Sequence, residues 1–249
     1  MPARIKLIVA TVAATAAIAG CTTSATPHAN HPAVPIALTK PGTGNTAPEA
    51  TNRLPQQLPG LGPNTLAQVP ANANQVIIVS GADIDSPNST VVLYQRTPAG
   101  WQAGPTWSAH NGDAGWSAEH MNNDLRSPIG VFALTDAGGL LADPGSKLPY
   151  HQGPGFRIGG VGFNGESLAD AFDYVIAINY NRVAGKSPLD WTMPLGQQRG
   201  GQIWFHVEHG GPTHGCVSVP EADMITLLQT LDPAQNPVVV MGDAASLSH

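Results

Sequence analysis

Residues Gly201 to Val219 hold three of the nine histidines and one of the two cysteines of this 249-residue chain. A free thiol titrates near ~8.5 and is mostly protonated at neutral pH, so a cysteine becomes a nucleophile when a neighbouring imidazole takes its proton. Cys216 is the candidate nucleophile and His206 the candidate base. His214 stands two residues before Cys216, on the same face of an extended chain, where it is placed to orient or share the proton. Gly215 lets the backbone approach a reacting carbonyl, so the N–H groups of His214, Gly215 and Cys216 are candidates to hold an oxyanion.

These side chains must be presented by strands. Alternation puts Ile203, Phe205 and Val207 on one face and Trp204, His206 and Glu208 on the other, and Val217 and Val219 oppose Cys216 and Ser218. The loop His209-Gly210-Gly211-Pro212-Thr213 predicts a hairpin with His206 directly opposite Cys216, a separation of ~4.5 to 5.5 Å between Cβ atoms. Further strands are predicted at 75–80, 90–95, 106–110, 129–134, 173–180 and 237–241, between Gly, Pro, Asn and Asp turns. One clear helix is predicted after Pro220, with Glu221 and Asp223 in its first turn, apolar Met224, Ile225, Leu227, Leu228 and Leu231, and Pro233 as its stop. The fold class is mainly β.

The same stretch admits other chemistries. His206, His209, His214 and Cys216 are four nitrogen or sulfur donors, enough in number for tetrahedral zinc, although His209 falls in the expected loop. Gly160-Val161-Gly162-Phe163-Asn164-Gly165 matches a dinucleotide fingerprint only formally, and a glycine-rich turn is the plainer reading. No Ser-x-x-Lys and no Gly-x-Ser-x-Gly occurs. Only His249 follows Cys216, an order unlike papain-type peptidases. His28 and His31 are read as incidental polar residues, and His120 and Glu208 as solvated surface. Trp116, Trp191 and Trp204 are read as core, rim or groove residues.

Thr213-His214-Gly215-Cys216-Val217, with His206 upstream on an Ile-Trp-Phe-His strand, resembles the signature of the YkuD-type L,D-transpeptidases. Arg126-Ser127-Pro128-Ile129-Gly130-Val131-Phe132 is similar to the family's Thr/Ser-Pro-x-Gly-x-Phe strand. Tyr174-Val175-Ile176-Ala177-Ile178-Asn179-Tyr180-Asn181 is similar to a strand of its actinobacterial members. The resemblance runs from Gln75 to Gly242. The spacer 207–212 is shorter than usual and is similar to a short-spacer branch; Ser218 stands where most members carry Asn or Arg. The resemblance implies a β-sandwich catalytic domain that needs no metal or organic cofactor and acts on peptidoglycan stem peptides through a thioester on Cys216. Trp204, Tyr180, Asn181 and Ser218 are then expected along the substrate groove. Hydrolysis of the thioester, as in a carboxypeptidase or amidase, is the alternative outcome, and a non-catalytic wall-binding lipoprotein a more distant one.

At the N-terminus Arg4 and Lys6 precede the apolar run 7–19, which is too short to span a bilayer. Ile18-Ala19-Gly20-Cys21 resembles a lipobox. Residues 1–20 are therefore expected to be a signal peptide and Cys21 the lipidated residue, leaving Cys216 with no disulfide partner. Residues 21–70, rich in Pro, Thr, Ala and Asn, predict a tether; as a flexible coil it would span roughly 40 Å. Residues 71–249 are the expected catalytic domain. Losing residues 1–20 leaves nine basic against 17 acidic residues, a net charge of −8 that argues against nucleic acid as a partner. A monomer facing the cell wall, held to the membrane by lipid, is expected.

Overall fold

The computed structural model describes residues 53–249. The expected signal peptide, Cys21 and most of the expected tether lie outside the described residues. In chain order the elements are α1 (Pro63–Leu66), β1 (Gln75–Gly81), β2 (Asn88–Thr97), β3 (Gly100–His110), β4 (Trp116–Ser117), β5 (Ser127–Pro128), β6 (Gly130–Gly139), β7 (Tyr150–Gln152), β8 (Val175–Ile178), β9 (Trp204–Val207), β10 (Val217–Val219), α2 (Glu221–Thr230), β11 (Val238–Asp243) and α3 (Ala244–Leu247). The large sheet runs β11-β1-β2-β3-β10-β9-β8-β6-β7, and β11 also pairs with β6. That extra pairing closes the sheet on itself and leaves β7 on the outside of β6. The domain is thus mainly β, with a barrel-like sandwich core and one helix longer than a turn or so.

Sequence alternation explains how the layers form. In β1, Ile77 and Val79 join Val239 and Met241 of β11 in the main core, together with Met224, Leu227, Leu228 and Leu231 at α2. Val76, Ile78, Val238 and Val240 face the other way, onto Leu58, Trp101 and Leu247. Strands covered on both faces read as unbroken apolar runs, as Val76-Ile77-Ile78-Val79 and Val238-Val239-Val240-Met241 do.

Two expectations are corrected. Residues 53–70 are not all tether: Leu58 is buried, the Trp101 N–H donates to the Pro55 carbonyl at 2.8 Å, and the Gly62 N–H donates to Leu247 O at 2.9 Å. The folded part therefore begins before residue 71. The second correction concerns the cysteine strand. β9 and β10 are parallel neighbours, not a hairpin, and the register sets His206 opposite Ser218. Each has an antiparallel neighbour on its other side, β8 for β9 and β3 for β10. The chain leaving β9 must then cross back to the start of β10 instead of turning straight into it.

Candidate active site

The crossing segment, Glu208 to Cys216, is pinned along its length. The Thr213 N–H donates to Asn111 O and the Asp113 N–H to Thr213 O, both at 2.9 Å. The Thr213 hydroxyl donates to the Cys216 carbonyl at 2.7 Å and accepts the Gly215 N–H at 3.1 Å. Ser127 Oγ, from the Arg-Ser-Pro motif, donates to the Gly215 carbonyl at 2.8 Å and accepts the Gly112 N–H at 2.9 Å. Gly215 has φ of 140°, and a Cβ there would lie 3.0 Å from Arg126 O, so glycine is required by backbone and neighbour alike.

This scaffold holds Cys216 half-buried, with Sγ accepting the Trp204 N–H at 3.4 Å and lying 3.6 Å from the Gln202 carbonyl. Gln202 has φ of 56°, an uncommon left-handed conformation for a residue with a side chain. Burial pushes the thiol up to about 11, against the opposing Trp204 N–H. His206 is buried on β9, its Nδ1 2.9 Å from Val207 O. A carbonyl only accepts, so Nδ1 carries the proton and Nε2 keeps the free lone pair. Burial pushes this imidazole down to about 4; the Val207 bond and Glu208 oppose the shift, and His209 adds to it. Near neutral pH the pair is therefore a thiol and a neutral imidazole, suited to general-base catalysis during attack and not to a preformed ion pair.

Cys216, His206 and His214 line one cavity of about 80 Å³, whose other walls include Ile158, Leu168 and Phe172. Cys216 and His214 also line a second cavity of about 150 Å³, formed with His120, Asn122 and Gln202. The thiol thus borders two cavities, with Cys216 and His214 common to both.

The structure brings together Cys216, His206 and His214 but revises other assignments. His214 is exposed and packs on Phe163 at 4.7 Å between ring centroids. The Gly215 N–H is already held by Thr213, which leaves the His214 and Cys216 amides of the expected oxyanion set. Trp204, Tyr180, Asn181 and Ser218 are all buried, and none of them lines the two cavities beside Cys216. Trp204 packs against Phe172 and Phe156. The Tyr180 hydroxyl reaches Arg199 O at 2.8 Å, and Asn181 takes the Leu195 N–H at 2.6 Å and donates to Gly196 O, so both shape the turn that leads to the second cavity. Ser218 Oγ donates to Glu208 at 2.7 Å, and Glu208 lies 2.8 Å from His110 Nδ1. Glu208 is accordingly a strut between β9, β10 and β3, not free surface. His120 is buried too, 2.9 Å from Asp124, with burial lowering its pKa more than Asp124 raises it.

Among the described residues, no three His, Cys, Asp or Glu side chains converge as metal ligands. His209, counted in the zinc reading, instead stacks on His206 and meets Glu166 at 3.2 Å. Ser127 and Thr213 lay within motifs but were legible only as strand and loop. Glu166 carried no sequence signal, since its contact with His209 spans 43 residues.

Residues 97–240 match the family model described as the L,D-transpeptidase catalytic domain, YkuD. A comparison with curated proteins finds no match. The solved structure of Bd1075 from Bdellovibrio bacteriovorus is similar, with a TM-score of 0.40 and 16% identity, over 69% of this chain and 48% of that one. The chain thus spans about half the length of that protein's chain.

Proposed function

This chain belongs to the YkuD family of L,D-transpeptidase catalytic domains, and we propose that it cross-links peptidoglycan stem peptides by acyl transfer through Cys216. The observation that carries this reading is that Cys216 and His206 share one cavity while His206 Nδ1 is committed to Val207, which leaves Nε2 as the ring's only proton acceptor.

In the first step Cys216 Sγ attacks the carbonyl of an L-centred residue in a stem tetrapeptide and His206 Nε2 takes the thiol proton. The oxyanion accepts hydrogen bonds from the His214 and Cys216 amides. Collapse breaks the bond to the terminal D-amino acid, whose amine leaves with the proton from His206. A thioester remains on Cys216. An amine from a neighbouring stem then attacks this carbonyl, gives its proton to His206, and the thiol re-forms as the new amide is released. No metal or organic cofactor enters this sequence. Water in place of the amine would make the same site a carboxypeptidase.

The second part of the proposal concerns location. Among the described residues no helix is long and apolar enough to cross a membrane. The lipobox-like run ending at Cys21 supports a lipid anchor on the outer membrane face, with the domain facing the wall as a monomer. Cys21→Ala would then release the protein from the membrane fraction.

The experiment that tests the activity is incubation with purified disaccharide-tetrapeptides, with products weighed. Cross-linked dimers that vanish in Cys216→Ala support transfer. Shortened stems without dimers would replace it by hydrolysis.

A further inference from the structure

The turn between Gly160 and Leu168 reaches over the thiol cavity, closed by a bridge between Val161 and Ser167. Its Gly162 N–H donates to Glu166 O at 2.8 Å, and the Asn164 N–H donates to Glu166 Oε2, also at 2.8 Å. That leaves Oε1 for His209 Nδ1, at 3.2 Å. A carboxylate only accepts, so His209 donates from Nδ1. Backbone amides, first Glu166's own, and then His209 hold the carboxyl below its ordinary range. The His209 side chain is 6% exposed and that of Glu166 13%. A Cβ at Gly211 would overlap Glu166 Oε1, so the His-Gly-Gly sequence leaves the notch into which the carboxylate fits.

Beyond this hydrogen bond, the His209 ring lies parallel to His206, 8° between planes and 5.5 Å between centroids. Phe172 meets His206 edge-on from another side at 5.4 Å. The titratable groups around His206 are therefore His209 and Glu208 from its own connection and Cys216 and His214 on the cavity they share, with Glu166 behind His209.

We propose that His209, clamped by Glu166, is a positioning residue for the base: it fixes the plane of the His206 ring and keeps water away from it. The inference rests on the acyl-transfer reading of the site. Phe172 and His209 grip the imidazole from two directions while Val207 holds Nδ1, so rotation that would turn Nε2 away from the thiol is blocked. Without His209 the ring gains both rotational freedom and solvent.

The test measures the rate of Cys216 acylation by a carbapenem across pH, by intact mass, for the parent, His209→Ala, Glu166→Ala and Glu166→Gln, with thermal unfolding to confirm folding. In the parent the acid limb follows the depressed His206. In His209→Ala, solvent reaches the imidazole, the limb moves up toward the ordinary histidine range, and the plateau falls by about tenfold because the base is no longer held toward the thiol. Glu166→Ala moves the limb the same way. Glu166→Gln keeps one amide oxygen to accept from His209 Nδ1 but turns its NH2 toward the Asn164 N–H and gives up that bond, so it restores the parent limb at a cost in stability, a separation that a role in general stability would not predict. An unmoved limb in both alanine variants, or a glutamine variant no better than alanine, overturns the proposal. NMR titration of the His206 ring in the same proteins reads the shift without any turnover. If the parent is not acylated the transfer reading fails, and the NMR titration still decides the role of His209.

Discussion

Ser127 Oγ donates to the Gly215 carbonyl at 2.8 Å, a bond between residues 88 positions apart that joins the Arg-Ser-Pro motif to the cysteine motif. The same oxygen accepts the Gly112 N–H. One hydroxyl thus orders the peptide immediately before the nucleophile, which explains why two distant motifs occur in one chain.

Ser127→Ala leaves the Gly112 N–H and Gly215 carbonyl short of a buried partner. Unsatisfied buried groups cost ~1–3 kcal/mol each, so the unfolding free energy should fall by that order, and acylation of Cys216 should slow with it. Chemical denaturation alongside acylation rates checks both. Ser127→Thr, which keeps the hydroxyl, should lose less.

Stability should fall with acid through His206. Burial depresses its folded pKa to about 4 from the ordinary 6.5, so the unfolded state takes up the proton first. The contribution is intact above the unfolded value and is lost as pH falls from there through about 4, a total of about 3 kcal/mol at ~1.4 kcal/mol per unit. Denaturant unfolding at several pH values measures the slope. His206→Asn should flatten that part of it.

Arg182 and Asp136 form an ion pair with side chains 5% and 6% exposed. Asp136 also accepts the Gly185 N–H, and Arg182 also donates to Lys186 O, so the pair ties down the turn after Asn181. Arg182→Met strands a buried carboxylate and should cost ~3–5 kcal/mol; adding Asp136→Leu should recover a large part of it. Unfolding of the single and double variants tests this.

Glu208 accepts from Ser218 Oγ and from the Gly210 N–H and sits 2.8 Å from His110. Those partners hold its carboxyl below the ordinary range despite its burial. Glu208→Ala should therefore destabilise the domain and slow acylation by loosening the segment that carries His209 and His214. Hydrogen exchange at Gly210 and Thr213 should rise in that variant. Unchanged protection there would remove Glu208 as the strut.

What the sequence revealed was local. Period-two alternation placed Phe205 and Val207 in the core and His206 on the opposite face, and the helix after Pro220 followed from its end signals and apolar spacing. The hairpin failed because a Gly-Gly-Pro loop looks the same whether the chain turns back or crosses over. The choice is made by β3 and β8, which occupy the antiparallel positions. Residues 53–70 read as tether because their apolar side chains follow no period; Leu58 and Leu61 find their place only against Trp101 and Leu247. The resemblance points to Trp204, Tyr180 and Asn181 as groove residues, but a motif match does not tell a buried side chain from an exposed one, and all three are buried. Glu166 was invisible for the same reason as the strand order: its partner is distant in the chain.

The most direct test of the account is the intact mass of the protein after incubation with a carbapenem, beside Cys216→Ala, His206→Ala and His214→Ala. A strained acyl group of this kind reports a cysteine that a base activates, and the stable adduct is read directly. One adduct is expected on the parent, none on Cys216→Ala, a severe loss in His206→Ala, and retained reaction when the exposed His214 is replaced in His214→Ala. A parent that stays unmodified while a simple thiol reagent labels Cys216 freely would contradict it, as would a reaction that survives loss of His206 but not of His214.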